Sequence, residues 1–252
     1  MRRLLVLAGA ALALAGCGDD ATVTGAGGDR PELTVSAAAS MQEALEACAP
    51  RFGEATVRLQ FAGSDELAAQ IRQGAPVDVF ASANTKLPDA LAAEGKLETP
   101  VAFATNRLVL AVPAGSGIDG LGALERPGVK LVIGAEGVPV GDYTREVLAQ
   151  LGPAPSEAIL ANVRSEEPDV KGVVGKLTQG AADAGFVYVT DVEATDGALR
   201  AIDLPADLDV TGTYAAGVVQ GTDEPEAAEA FVDGLLAGGC GDALRAAGFG
   251  AP

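Results

Sequence analysis

The chain has 252 residues, no histidine, no tryptophan and a formal net charge of −18 at pH 7. This acidic balance makes nucleic acid a poor partner, because binding a phosphate backbone requires a basic face. The absence of histidine argues against catalytic triads built on imidazole and against most zinc sites. The length is sufficient for one large domain or two small ones.

The first segment has the organisation of an export signal. Two arginines precede an apolar run over residues 4–15, which is too short to span a membrane. Residues 14–17 read Leu-Ala-Gly-Cys, which resembles the lipobox of bacterial lipoproteins. The resemblance implies a signal peptide over residues 1–16 and lipid on Cys17; an ordinary signal peptide with a chance cysteine is the alternative. Residues 17–30 are polar and glycine-rich, which predicts a flexible tether.

Strand and helix signals alternate through the rest of the chain, which indicates an α/β fold with mostly parallel sheets. The predicted strands, in order, cover residues 33–36, 57–61, 77–80, 107–112, 130–133, 185–189 and 214–219. The predicted helices cover residues 40–49, 64–73, 87–94, 142–151, 169–179, 225–236 and 240–247.

Four of these helices begin at a polar residue that follows a strand or loop, namely Ser40, Ser64, Asp142 and Asp169. The first also has Glu43 three residues later, the pattern of a capping box. A helix N-terminus carries unpaired N–H groups and a partial positive charge, so several that converge can hold an anion without lysine or arginine. Most α/β proteins have such caps, so the pattern is informative only together with other segments.

Five short stretches supply that further information. They are Val-Ser-Ala-Ala-Ala-Ser at 35–40, Phe-Ala-Gly-Ser at 61–64, Gly-Ala-Pro-Val-Asp-Val-Phe-Ala-Ser-Ala at 74–83, Val-Pro-Val-Gly at 138–141 with Tyr143, and Gly-Phe-Val-Tyr-Val-Thr-Asp at 185–191. In this order, the stretches resemble the periplasmic molybdate-binding proteins, the ModA family of type II solute-binding proteins. The resemblance extends from about Glu32 to the C-terminus.

The resemblance implies a two-lobed, periplasmic-binding-protein-like fold of type II, with mixed, mostly parallel sheets flanked by helices. Lobe I is expected to comprise residues 31–110 and 212–252, and lobe II residues 111–211. Two segments near 109–112 and 211–214 are expected to cross between the lobes.

The family's oxyanion contacts, carried over to this sequence, fall on Ser40, Ser64, Val140, Val170 and Tyr188. The two serines would each offer a backbone N–H and a hydroxyl, the two valines a backbone N–H, and the tyrosine its phenol. A tetrahedral dianion only accepts hydrogen bonds, so it matches a site made of neutral donors. A protonated oxyanion would bring a donor with no acceptor, which favours molybdate, tungstate or sulfate over hydrogen phosphate. No cofactor is implied, and molybdenum would be bound only as its oxyanion.

Two residues depart from the family pattern. Asp65 replaces a small hydroxyl residue; a solvated carboxylate at a helix start is expected, whereas an inward one would repel an anion. Val140 is larger than the residue often found there, and its bulk could narrow the pocket. Asp78 is expected to bond nearby backbone, and Tyr143 to pack rather than to bind ligand.

Cys48 and Cys240 lie in the predicted first and last helices of the body. An exported chain is exposed to an oxidising compartment, so the two cysteines can form a disulfide that ties the ends of the fold together. Two buried free thiols are the alternative.

The function implied by the resemblance is that of a monomeric, non-enzymatic lipoprotein held at the outer face of the cell membrane by lipid on Cys17. It would capture molybdate, and tungstate with it, and deliver the anion to the membrane permease of an ABC importer. The alternatives are a carrier of sulfate or another tetrahedral oxyanion, an exported hydrolase, and an interaction lipoprotein without a ligand. A hydrolase would need a base beside Ser40 or Ser64, and Asp65, which directly follows Ser64, is the candidate.

Overall fold

A computed structural model describes residues 30–208 and 210–252. The predictions for the signal peptide, for lipid on Cys17 and for most of the tether lie outside these residues. Within them, no helix combines the length and apolar character needed to cross a bilayer. The strands are β1 (Glu32–Ala38), β2 (Thr56–Ala62), β3 (Val79–Ser82), β4 (Val101–Pro113), β5 (Leu131–Gly134), β6 (Val163–Glu167), β7 (Ala184–Tyr188), β8 (Leu199–Ile202) and β9 (Thr211–Val218).

Helices lie between and after these strands. The α-helices are α1 (Gln42–Cys48), α2 (Ser64–Arg72), α3 (Lys86–Ala93), α4 (Pro139–Gln150), α5 (Pro153–Leu160), α6 (Val170–Thr178), α7 (Val189–Glu193), α8 (Pro225–Ala237) and α9 (Gly239–Ala246). Three 3₁₀ turns cover Ala39–Met41, Ala49–Arg51 and Leu121–Glu125.

Hydrophobic patterning accounts for most of these elements. Strands β3, β5 and β7 are buried along their whole length, as expected for central strands covered on both faces. Helix α2 buries Ser64, Leu67, Ala68 and Ile71, the spacing of one helical face. That spacing turns the helix start toward the protein interior, which places Ser64 for the site described below.

The strands form one continuous path in the order β2-β1-β3-β9-β4-β7-β5-β6, with β8 paired to β4. Pairings of β1 with β2 and β3, and of β5 with β6 and β7, are parallel. The antiparallel pairings all involve β4 or β9. The prediction of a mixed α/β fold is confirmed. We call the part around β1, β2, β3 and β9 lobe I, and the part around β5 to β8 lobe II.

Strand β4 connects the two lobes. Val101–Arg107 pairs with β9, whereas Leu108–Pro113 pairs with β7 and β8. The change of partner strand between Arg107 and Leu108 comes just before residues 109–112, which were predicted to cross from one lobe to the other. The exact lobe boundaries stay a prediction.

Several local predictions were wrong. Helix α4 begins at Pro139 rather than at Asp142, because proline is favourable in the first turn of a helix. The capping box does not form: Ser40 lies in a 3₁₀ turn before α1, with its hydroxyl on Tyr214, and the Glu43 carboxylate pairs with Lys171. Four elements, α5, α7, β6 and β8, were not predicted.

Other local predictions agree with the structure. Asp169 caps α6, since its carboxylate accepts from the Gly172 N–H at 2.8 Å. Asp78 accepts from the Thr34 N–H at 2.7 Å, as predicted for a carboxylate that bonds backbone. The structure pairs Cys48 with Cys240 in a disulfide that joins α1 to α9, with the two Cα atoms 5.0 Å apart.

Candidate functional site

A small cavity lies between the two lobes, at the ends of β1, β2 and β7 and the beginnings of α2, α4 and α6. All five residues predicted to bind an oxyanion line it. Lobe I contributes Ala38, Ala39, Ser40, Ala62, Gly63, Ser64 and Ala83 to its wall, and lobe II contributes Val138, Pro139, Val140, Asp169, Val170 and Tyr188.

The cavity suits one small polyatomic ion. The volume open to the centre of a water molecule inside the cavity is about 20 Å³. With the ~1.4 Å radius of a water molecule added, this volume corresponds to a sphere of about 3 Å radius. Val140 is buried and is part of the wall.

Three helix N-termini converge on the cavity. Ser64 and Val170 are the first residues of α2 and α6, and Val140 is the second residue of α4. The N–H groups in the first turn of a helix have no partner within it, and the helix dipole adds partial positive charge there. Because α2 belongs to lobe I whereas α4 and α6 belong to lobe II, these donors face each other across the cavity.

Two hydroxyls are free to donate into the cavity. Ser64 Oγ accepts a hydrogen bond from the Ala83 N–H at 3.1 Å, so its own hydrogen stays available. The Tyr188 hydroxyl is buried and has no hydrogen-bond partner among the described residues. Burial raises the pKa of the Tyr188 phenol well above 10.0, and Tyr214 nearby raises it further. The phenol is therefore protonated at physiological pH and can act as a donor.

The wall carries no lysine or arginine among the described residues, and its charged member is Asp169. That carboxylate is engaged as the cap of α6. Asp65 does not line the cavity, but the expectation that it is solvated is wrong for one oxygen: its Oδ1 is buried without a hydrogen-bond partner. The cavity thus presents mainly neutral donors.

The lobes touch each other around the cavity. Lys171 Nζ in lobe II lies 2.7 and 2.8 Å from the Glu43 carboxylate oxygens in lobe I. It also lies 3.1 Å from Asp191, whose pKa is raised to about 6 because burial outweighs the attraction of Lys171. Tyr143 donates across the same boundary to the Ala83 carbonyl at 3.3 Å. Tyr143 does not line the cavity, which agrees with the packing role predicted for it.

The backbones of the two lobes approach each other closely at Gly63. A Cβ atom built on Gly63 would lie 2.3 Å from the Pro168 carbonyl oxygen. Ordinary contacts to a Cβ begin at 3.4 Å, so only glycine allows the lobes to stand this near. The structure therefore shows the cleft in a closed arrangement.

Sequence reasoning missed the residues that support this site from outside it. The roles of Lys171, Asp191 and Tyr214 depend on contacts between distant parts of the chain, for which no local pattern exists. Glu43 was noticed, but as a capping residue, because its spacing from Ser40 fits that motif.

Comparison with known proteins agrees with this architecture. A family model described as bacterial extracellular solute-binding protein matches residues 33–250. The molybdate-binding protein ModA of Mycobacterium tuberculosis strain H37Rv is 35% identical over 249 residues, covering 95% of this chain and 93% of that protein. ModA of Escherichia coli strain K12 is 30% identical over 259 residues, covering 98% and 97%.

A solved structure adds to these matches. The periplasmic molybdate-binding protein of Azotobacter vinelandii superimposes with a TM-score of 0.77 at 25% identity, covering 87% of this chain and 99% of that chain. The fold and the interlobe cavity define a solute-binding protein of the type that works outside the cytoplasm. Within that class, the chain belongs to the ModA family. The relatives named here are binding proteins, not enzymes.

Proposed function

We propose that this protein captures molybdate, and tungstate with it, in the interlobe cavity and delivers the anion to the membrane permease of an ABC importer. The observation that carries the proposal is the buried Tyr188 hydroxyl, which has no partner in the described part of the chain and belongs to a residue of the same cavity wall as three helix N-termini. A buried donor of this kind is unfavourable until an acceptor arrives. The names of the relatives support molybdate as that acceptor.

Five residues are proposed to hold the anion. Ser40 and Ser64 offer a backbone N–H and a hydroxyl each from lobe I. Val140 and Val170 offer backbone N–H groups, and Tyr188 its phenol, from lobe II. Because both lobes donate, only the closed arrangement satisfies all four oxygens, so binding favours closure. The permease would then recognise the closed form.

The donor set also governs selectivity. Neutral donors favour a fully deprotonated tetrahedral anion, because a protonated one would bring a hydrogen that finds no acceptor. Sulfate satisfies the same rule, so the distinction between sulfate and molybdate depends on cavity size. A carrier of sulfate is therefore the second candidate. The ligand is cargo, and no cofactor is part of this proposal.

The rest of the proposal concerns location and organisation. Residues 1–16 act as a signal peptide, Cys17 carries lipid, and residues 17–30 tether the body to the outer face of the cell membrane. Lobe I comprises residues 31–110 and 212–252, and lobe II residues 111–211. The protein acts as a monomer and has no catalytic activity.

Calorimetric titration tests the proposal. The full chain, purified in mild detergent and dialysed free of bound anion, is titrated separately with molybdate, tungstate, sulfate and phosphate. One-to-one submicromolar binding of molybdate, with sulfate and phosphate silent, is the expected result. At about 1,000 times the dissociation constant, molybdate should stabilise the fold by roughly 4 kcal/mol. Equal binding of sulfate would change the assigned cargo, and no heat from any anion would refute the oxyanion site.

A further inference from the structure

Tyr214 stands directly behind the cavity without lining it. Its side chain is fully buried in β9, the lobe I strand that pairs with β4. Three aromatic rings pack against it edge-on, with centroid distances of 5.4 Å to Phe249, 5.9 Å to Tyr188 and 6.3 Å to Phe103. This packing holds the position of the phenol oxygen.

The Tyr214 hydroxyl connects the interior to the cavity wall. It lies 2.8 Å from Ser40 Oγ, a contact between residues 174 positions apart in the sequence. On its other side, Asn106 Nδ2 donates to Thr190 Oγ1 at 2.8 Å and to the Tyr214 hydroxyl at the longer distance of 3.5 Å. The three polar groups therefore form a line from Asn106 through Tyr214 to Ser40.

Either hydroxyl of the 2.8 Å pair can donate to the other, so the donor order depends on the remaining contacts of Tyr214. An amide nitrogen cannot accept, so the Tyr214 oxygen is the acceptor toward Asn106. The order that fits the Asn106 contact gives the single phenol hydrogen to Ser40 Oγ, since the phenol oxygen already accepts on its other side. Burial keeps this phenol protonated, because it raises the pKa of Tyr214 well above the usual value. Ser40 must then direct its own hydrogen away from Tyr214, and the open direction is the cavity.

We propose that Tyr214 is a positioning residue that, with Asn106, makes Ser40 a donor toward the bound anion. This role rests on the proposed oxyanion-binding function. Because one Ser40 lone pair is occupied by the phenol, the serine is a poorer acceptor for a protonated ligand. The arrangement thus strengthens binding of fully deprotonated anions and weakens binding of hydrogen phosphate.

The test uses Tyr214→Phe, which keeps the ring and removes only the hydroxyl. Molybdate is titrated into the full chain at pH 7. Sulfate and phosphate, which are silent in that direct titration, are measured at millimolar concentration by their competition with molybdate. Loss of one net hydrogen bond should weaken molybdate binding by about 2- to 12-fold. Phosphate binding should weaken less than sulfate binding, or should become stronger. The reason is that Ser40 Oγ, no longer bonded to the Tyr214 phenol, can accept a hydrogen bond from the protonated phosphate. A purely structural role would weaken the two smaller anions alike.

A double-mutant cycle with Ser40→Ala makes the test specific. Tyr214→Phe should have less than about a 2-fold effect on molybdate binding once Ser40 is alanine, because the group that it orients is gone. Phe103→Leu is the matched control, since it alters the packing on the Tyr214 ring and keeps the hydroxyl. In this variant, the ratio of sulfate affinity to phosphate affinity should equal that of the wild type. Asn106→Ala should shift the ratio in the same direction as Tyr214→Phe.

The outcomes separate this role from the proposed function. If the wild type binds molybdate but the two substitutions act additively, the role of Tyr214 is wrong and the site stands. If the sulfate-to-phosphate ratio stays constant in Tyr214→Phe, the donor order is wrong. If the wild type binds none of the anions, the proposed function fails, and the role of Tyr214 with it.

Discussion

A single methyl group at Gly63 tests whether the anion is bound by the closed arrangement of the lobes. The backbone of Gly63 has φ −60° and ψ 138°, which any residue adopts, so alanine brings no backbone strain. Its Cβ atom, however, would lie 2.3 Å from the Pro168 carbonyl oxygen of the opposite lobe. The same atom would lie 2.7 Å from Asp65 Oδ1 in lobe I, but that is the end of a side chain that can turn away, whereas the Pro168 carbonyl is backbone. Gly63→Ala therefore acts mainly on closure.

The size of the effect follows from this overlap. The Cβ atom and the carbonyl oxygen would have to separate by about 1 Å to reach the 3.4 Å of an ordinary contact. Overpacking of this kind costs about 1–3 kcal/mol. The dissociation constant for molybdate should therefore rise by about 5- to 150-fold. Without ligand the cleft can open, so the stability of the free protein should be unchanged or should increase by about 0.4–1 kcal/mol.

Calorimetric titration gives the affinity, and thermal unfolding without ligand gives the stability. The matched control is Gly53→Ala, because a Cβ atom there meets nothing within 4 Å, and it should bind like the wild type. An unchanged affinity for Gly63→Ala would refute the reasoning, since the anion would then be held with the lobes farther apart. Equal destabilisation with and without ligand would also refute it, because the methyl group would be disturbing lobe I itself.

Three further predictions concern single features. Tyr188→Phe should weaken molybdate binding by about 1.5–3 kcal/mol in a titration, yet leave the free protein as stable or more stable in a melt, because it removes a buried hydroxyl without a partner. Replacing Cys48 and Cys240 by alanine should lower the free energy of unfolding by about 2–5 kcal/mol in urea, and reduced wild type should match the variant. Asp191 has a pKa of about 6 in the folded state, against an ordinary value of 3.8. Between these two pH values the folded state binds more protons than the unfolded state. The resulting contribution to the free energy of unfolding is therefore lost as the pH rises from 3.8 to 6. Asp191→Asn should flatten that part of the curve of stability against pH, and an unchanged curve would contradict the assignment.

The fold was largely predictable because its strongest signals are local. A window of about ten residues is enough to recognise the apolar runs of β4 and β7 and the one-sided apolar spacing of α2. The elements that were missed have weak local signals. β6 reads Val-Arg-Ser-Glu-Glu and is half-exposed along its length, and α5 begins Pro-Ala-Pro-Ser, which reads as a loop. β8 is only four residues long.

The candidate site likewise contains residues that could be predicted from the sequence and residues that could not. Ser64 and Val170 lie at helix starts that the sequence predicts, and the family resemblance selected them from the other starts. Val140 was located by the resemblance alone, because its helix was predicted to begin only at Asp142. The residues behind the site could not be located. Tyr214 reaches Ser40 across 174 positions, and Lys171 reaches Glu43 across 128. Such contacts depend on the final packing of the lobes, which leaves no periodic trace in either segment.

The place of β9 in the sheet bears on how the chain reaches its folded state. β9 lies between β3 and β4, so the sheet of lobe I lacks a central strand until residues 211–218 are available. Both neighbours would otherwise present apolar, unpaired edges. Cys240, which joins the first helix to the last, arrives later still. Lobe I is therefore completed only after lobe II has been synthesised, although its first three strands are the first part of the body to be made.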